Sequence, residues 1–142
     1  MIDRWIRRLA GVTIATVLTV APVTASAHDI YALTVEQLRE GMMKAASPAE
    51  KGFVLVDVRS PTEHAEGFIP GTDMNIDYRE IKDRHRELGI KPEGHVVLYC
   101  QSGHRAGIAA KMLSELGYRH VYSVVGSMNA WKEAGYPVER GQ

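Results

Sequence analysis

Apolar residues follow two rhythms along this chain. Short, nearly continuous apolar runs occur at Phe53-Val54-Leu55-Val56-Asp57-Val58, Met74-Asn75-Ile76, Val96-Val97-Leu98-Tyr99 and Val121-Tyr122-Ser123-Val124-Val125. Their length and β-branched content predict strands, and their lack of polar alternation predicts burial on both faces, as in a parallel sheet. Between them the spacing turns helical: Val35, Leu38 and Met42; Ile81, His85 and Leu88; Ala109, Met112, Leu113 and Leu116. Thr34 with Gln37 and Ser60 with Glu63 have capping-box spacing, and Pro61 suits a first helical position. A mostly charged helix is predicted over residues 78–88 and a short one over 128–134. Residues 47–52 read as a loop and residues 137–142 as a frayed tail. Strand and helix therefore alternate, which predicts a parallel sheet with helices on both faces. Ligands of such sheets bind beyond the carboxyl ends of the strands.

The N-terminus follows neither rhythm. Arg4, Arg7 and Arg8 precede an uncharged, mostly apolar stretch from Leu9 to Ala21, and Ala25-Ser26-Ala27 is a small-residue cleavage pattern. This is the layout of a secretory signal peptide over residues 1–27, with one domain over residues 28–142 and a periplasmic destination. The apolar core is too short for a comfortable membrane span, so no stable membrane anchor is expected. Removing this segment takes the chain from 17 basic and 17 acidic residues to a net charge of −2. Nothing in that balance suggests a nucleic-acid partner. Hydrophobic residues make up 45% of the chain, enough for a packed core.

Composition matters most at cysteine, of which there is one. A single thiol excludes an intrachain disulfide framework and any paired-cysteine redox or zinc motif. The six histidines show no ligand-like spacing, so no metal site is expected. Cys100 sits where the Val96–Tyr99 run ends and, after Gln101-Ser102-Gly103-His104, a helix begins near Arg105. Backbone N–H groups of a loop entering a helix lack partners, and their partial positive charge favours an anion. The thiol placed there is a candidate nucleophile. The competing reading is a plain buried cysteine. Asp57 and Arg59, at another strand end, read as a fold-fixing ion pair or cap. His64, His85, His95 and His120 read as surface or rim residues, and Trp131 and Tyr122 as core.

Three blocks, in this order and at this separation, resemble the single-domain rhodanese family of sulfurtransferases. They are Asp57-Val58-Arg59 with residues 63–71 (Glu-His-Ala-Glu-Gly-Phe-Ile-Pro-Gly), residues 99–105 (Tyr-Cys-Gln-Ser-Gly-His-Arg), and Gly126-Ser127-Met128-Asn129-Ala130-Trp131. The resemblance covers the chain from about Leu33 to Pro137. It implies a central parallel sheet of about five strands with helices on both faces. It also implies transfer of a sulfane sulfur from a small inorganic donor such as thiosulfate, through a Cys100 persulfide, to cyanide, a thiol or a protein acceptor. Gln101, Ser102, Gly103, His104 and Arg105 would form the persulfide-binding loop, with Asp57 and Arg59 in support. No metal or organic cofactor is required. The chain departs from the family at Gln101, where a basic residue is common, at Phe68, where a histidine is common, and at Ser127, which replaces the second of two glycines.

Two rivals remain. A phosphatase or arsenate reductase could use a similar scaffold, but Arg105 follows Cys-x4 where tyrosine phosphatases have Cys-x5, and arsenate reductases typically use further cysteines. A persulfide carrier or protein-binding module would use the same thiol without turnover.

Overall fold

The computed structural model describes residues 29–141, so the expected signal segment, residues 1–27, lies outside the described residues. Five strands form one all-parallel sheet in the order β1-β5-β4-β2-β3. They are β1 (Ile30–Leu33), β2 (Val54–Asp57), β3 (Met74–Asn75), β4 (His95–Tyr99) and β5 (His120–Val124). Helices α1 (Val35–Met43), α2 (Pro61–Glu66), α3 (Ile81–Arg84), α4 (His104–Glu115) and α5 (Ser127–Glu133) connect or follow them. The expected parallel architecture is present. Its fifth strand is Ile30–Leu33, an apolar run left unassigned because it is only four residues long and abuts the Thr34 cap of α1; it lies at the sheet edge with Ile30, Tyr31 and Ala32 exposed.

Side-chain alternation along the central strands divides the core in two. Val56, Val58, Val96, Leu98 and Cys100 face one side, with Ile81 of α3 and Ala106, Ala109, Ala110 and Leu113 of α4. Leu55, Val97, Tyr99 and Val124 face the other, with Val35 and Leu38 of α1 and Met128 and Trp131 of α5. Adjacent strand residues point to opposite faces, so one apolar run serves both layers. This alternation also fixes where the thiol goes. Cys100 follows Tyr99 and turns to the α4 side.

Local signals place the elements. Both capping boxes form: Thr34 Oγ1 accepts from the Gln37 N–H, and Ser60 Oγ from the Glu63 N–H, with the reciprocal bonds in place. Each is worth about 1 kcal/mol by comparison with alanine at the cap. Two expectations are corrected. Residues 78–88 do not make one helix: Asp77 Oδ1 accepts from the Arg79 N–H and sets a turn, a short α3 follows, and His85–Leu88 tightens into a 3-10 turn ending at Gly89. An aspartate that bonds the backbone two residues on competes with helix initiation at that point. Nor is the C-terminal stretch simply frayed. Phe68 and Glu139 exchange backbone hydrogen bonds of 2.8 and 3.0 Å, and Trp131 donates its indole N–H to the Pro137 carbonyl at 2.7 Å. The tail is tied beside α2, with Val138 half-buried against the core and its other described side chains exposed. Among the described residues, no helix is long and apolar enough to cross a membrane.

Candidate active site

At the carboxyl end of β4 the chain makes a tight loop into α4. Cys100 is 1% exposed and packs on the α4 side of the sheet. It is also hydrogen-bonded: the Gly103 N–H donates to Cys100 Sγ at 3.0 Å. Gly103 makes this possible with φ of 106°, a backbone conformation open to residues without a Cβ. The Gly103 carbonyl then accepts the Gly107 N–H and starts α4.

The loop is held from behind by the start of α5. The Met128 N–H donates to the Cys100 carbonyl at 3.1 Å and the Asn129 N–H to the Gln101 carbonyl at 3.0 Å. Among the described residues no peptide bond is cis. In a planar trans peptide the N–H points opposite to the carbonyl, so the Gln101 and Ser102 N–H groups are turned away from α5. First-turn amides of one helix thus orient the amides of the loop in front of it. Gly126 lets α5 start here: its φ is 69°, and a Cβ there would lie 2.6 Å from the Ala130 Cβ of the same helix.

The side chains around the thiol are tied to one another. Arg105 makes a two-pronged ion pair with Glu63, at 2.7 and 2.8 Å. The Arg105 guanidinium holds the Glu63 carboxyl down at about 2, against a smaller upward push from burial. Glu63 in turn holds the Arg105 charge above its ordinary range, with a lesser contribution from the Cys100 sulfur nearby. Gln101 bridges two side chains beside the loop. Its Nε2 donates to Asn129 Oδ1 at 2.6 Å, and its Oε1 accepts from Arg59 Nη1 at 3.3 Å. Ser102 and His104 are exposed at the rim, and neither forms a bond to the sulfur among the described contacts.

Behind Gln101, Asp57 and Arg59 are buried and paired. Asp57 accepts from the Arg59 backbone N–H, from Nε and from Nη2, the last at 2.7 Å. Burial opposes the Arg59 charge, but Asp57 more than offsets it and the guanidinium is held above its ordinary range. Nη2 also donates to the Gly67 carbonyl at 2.6 Å. These residues are the ion pair that their position at a strand end predicts. His64 lies at the rim, half-buried, where it bonds Asp57 Oδ2 through Nδ1 at 2.9 Å and stacks on Phe68. Three further partners escape the sequence reading: Glu63 as the counter-ion of Arg105, Asn129 as the anchor of Gln101, and Ser127 against Cys100. Glu63 carries a local signal, its capping spacing, which accounts for its backbone role and hides its ionic one.

The Arg105–Glu63 pair predicts a pH signature. The folded Glu63 value lies below its usual 4.5, so its stabilising contribution is complete above about pH 4.5 and is lost as pH falls through about 2. Melting curves of the wild type and Glu63→Gln should differ by a constant amount above that range, and the gap should close as pH falls toward 2. A gap unchanged over that window would show that the ionic pair adds nothing.

A rhodanese-like domain model matches residues 34–134. A thiosulfate:glutathione sulfurtransferase of Saccharomyces cerevisiae is 35% identical over 107 residues, covering 68% of this chain and 76% of that protein. A thiosulfate sulfurtransferase of Pseudomonas syringae is 36% identical, covering 70% of this chain and 90% of that one. Among solved structures, a rhodanese-related protein of Thermoplasma volcanium superposes with a TM-score of 0.64 at 27% identity, covering 78% of this chain and 99% of that chain. With the family model spanning most of the chain, and a single cysteine whose sulfur accepts the Gly103 N–H at the end of β4, this protein belongs to the rhodanese-like family.

Proposed function

We propose that the protein is a sulfurtransferase that carries sulfur on Cys100. The observation that supports this most directly is the Gly103 N–H donated to Cys100 Sγ at 3.0 Å, which favours negative charge on that sulfur. The Cys100 thiolate attacks the outer sulfur of thiosulfate. A new S–S bond forms to Sγ, the S–S bond of thiosulfate breaks, and its electron pair leaves with sulfite. The terminal sulfur of the persulfide is then an anion among loop amides, as in an oxyanion hole. Cyanide or a thiol attacks it, takes the sulfur, and returns the thiolate. A cysteine only 1% exposed suits a slender sulfane sulfur better than a bulky electrophile. The relatives' names support thiosulfate as donor. The signal-like segment over residues 1–27 supports action in the periplasm.

The arginines disfavour phosphate transfer. Arg105 is held by Glu63 and Arg59 by Asp57, so both cations beside the loop already have carboxylate partners. The same neutralisation, with Gln101 in place of a basic residue, favours as second reading a carrier that receives sulfur from another persulfide and hands it to a protein.

Intact-mass analysis of the mature protein after thiosulfate treatment should show one added sulfur, removed by cyanide with release of thiocyanate. A mass unchanged by thiosulfate and by a low-molecular-weight persulfide would overturn the covalent scheme. Loading by the persulfide alone would select the carrier reading.

A further inference from the structure

Ser127 stands where the family places a glycine, and it occupies the backbone conformation that favours glycine. Its φ is 47°, and it is the one non-glycine residue with positive φ among the described residues. A side chain held in this region is strained, and persists where its surroundings over-determine it. Those surroundings are specific. Ser127 is fully buried. Its Oγ donates to the Val124 carbonyl at 2.9 Å and accepts the Cys100 backbone N–H at 3.1 Å. One hydroxyl thus joins the end of β5 to the backbone of the sulfur-bearing residue. A glycine would relieve the strain and remove both bonds.

We propose that Ser127 is a positioning residue for sulfur transfer, whose hydroxyl sets the backbone at Cys100 and so the aim of its Sγ at the Gly103 N–H. The bond to Cys100 N fixes one side of the residue, and the bond from Met128 N to the Cys100 carbonyl fixes the other. Together they clamp both backbone polar groups of Cys100 against the start of α5. The sulfur then has only its own side-chain torsion to settle, and the Gly103 N–H settles it. Neither bond uses a side chain that reaches the donor, so Ser127 acts on the rate of the chemical step and leaves donor binding alone.

This inference rests on Cys100 being the sulfur carrier, and the test separates the two. Sulfite release in a single turnover is followed against thiosulfate concentration for the wild type, Ser127→Ala and Ser127→Gly. Alanine removes the hydroxyl and keeps the strain; glycine removes both. The rate at saturating thiosulfate should fall about tenfold in both variants, with the half-saturating concentration within about twofold of wild type. Ser127→Gly should melt higher than Ser127→Ala because it accepts the positive φ. Two folded variants that both keep the wild-type rate would overturn the proposal. So would a fall confined to Ser127→Ala, which assigns the effect to backbone strain, or a loss that appears only in half-saturation. Failure of both to fold would make the hydroxyl a support of the whole fold and overturn the assignment as well. A wild type that releases no sulfite sinks the sulfurtransferase reading instead.

Discussion

Cys100→Ser is expected to lower thiosulfate-to-cyanide transfer at least about a thousandfold, because a serine oxygen cannot hold the transferred sulfur and no second nucleophile replaces it. The chain contains one cysteine, so the variant has no thiol at all. The fold should survive. The hydroxyl is close in size to the thiol and can accept the Gly103 N–H that the sulfur accepts now. The change should therefore cost about 1 kcal/mol, a drop of a few degrees in melting temperature. Thiocyanate release and a melting curve on the same preparation check both halves. Residual turnover near the wild-type rate in the folded variant would remove Cys100 from the mechanism. An unfolded variant would leave the activity loss without a chemical meaning, and Cys100→Ala would then be measured beside it.

The reason Cys100 could be found in the sequence, and several of its partners could not, is one of range. A strand run, a short polar loop and a helical period are local, and residues 96–116 display all three. The capping boxes at Thr34 and Ser60 are likewise contained in four residues and form as their spacing predicts. Glu63 and Arg105 are 42 residues apart, Gln101 and Asn129 are 28, and Cys100 and Ser127 are 27. No periodicity encodes those meetings; they follow from the sheet order, which puts the ends of β2, β4 and β5 side by side. The edge strand β1 is invisible for a different reason. All four of its residues are apolar, but the run is short and leads straight into the Thr34 cap of α1, and with three of the four exposed it does not follow the burial rule that marks the other strands. The tail shows the opposite case: mostly exposed residues are held by backbone bonds to Phe68 and by half-buried Val138, which composition does not report.

Asp57→Ala should be the most destabilising single change near the site, at about 3–5 kcal/mol. For a domain of this size that corresponds to about 10–20 °C in melting temperature. Asp57 is fully buried and Arg59 is 3% exposed, so neither charge has water in reserve. Removing the carboxylate leaves the guanidinium with two neutral acceptors, the Gly67 carbonyl and Gln101 Oε1, and the Tyr99 ring face, and strips the Arg59 N–H and His64 Nδ1 of their shared partner. An unpaired buried charge is the expensive species, so the double replacement Asp57→Leu with Arg59→Met should recover much of the loss. Asp57→Asn should fall between, since it keeps acceptor oxygen but not charge. The function is linked to the same pair. Arg59 holds Gln101 from below while Asn129 holds it from the side, so loosening Arg59 slackens one wall of the sulfur loop. Asp57→Asn should therefore still load sulfur on Cys100, but turn over more slowly than its folded fraction accounts for. Chemical denaturation of the single and double variants, with turnover per folded molecule, decides this. A cost below about 1 kcal/mol for Asp57→Ala would mean that water reaches Arg59 and that the pair is not the support described here.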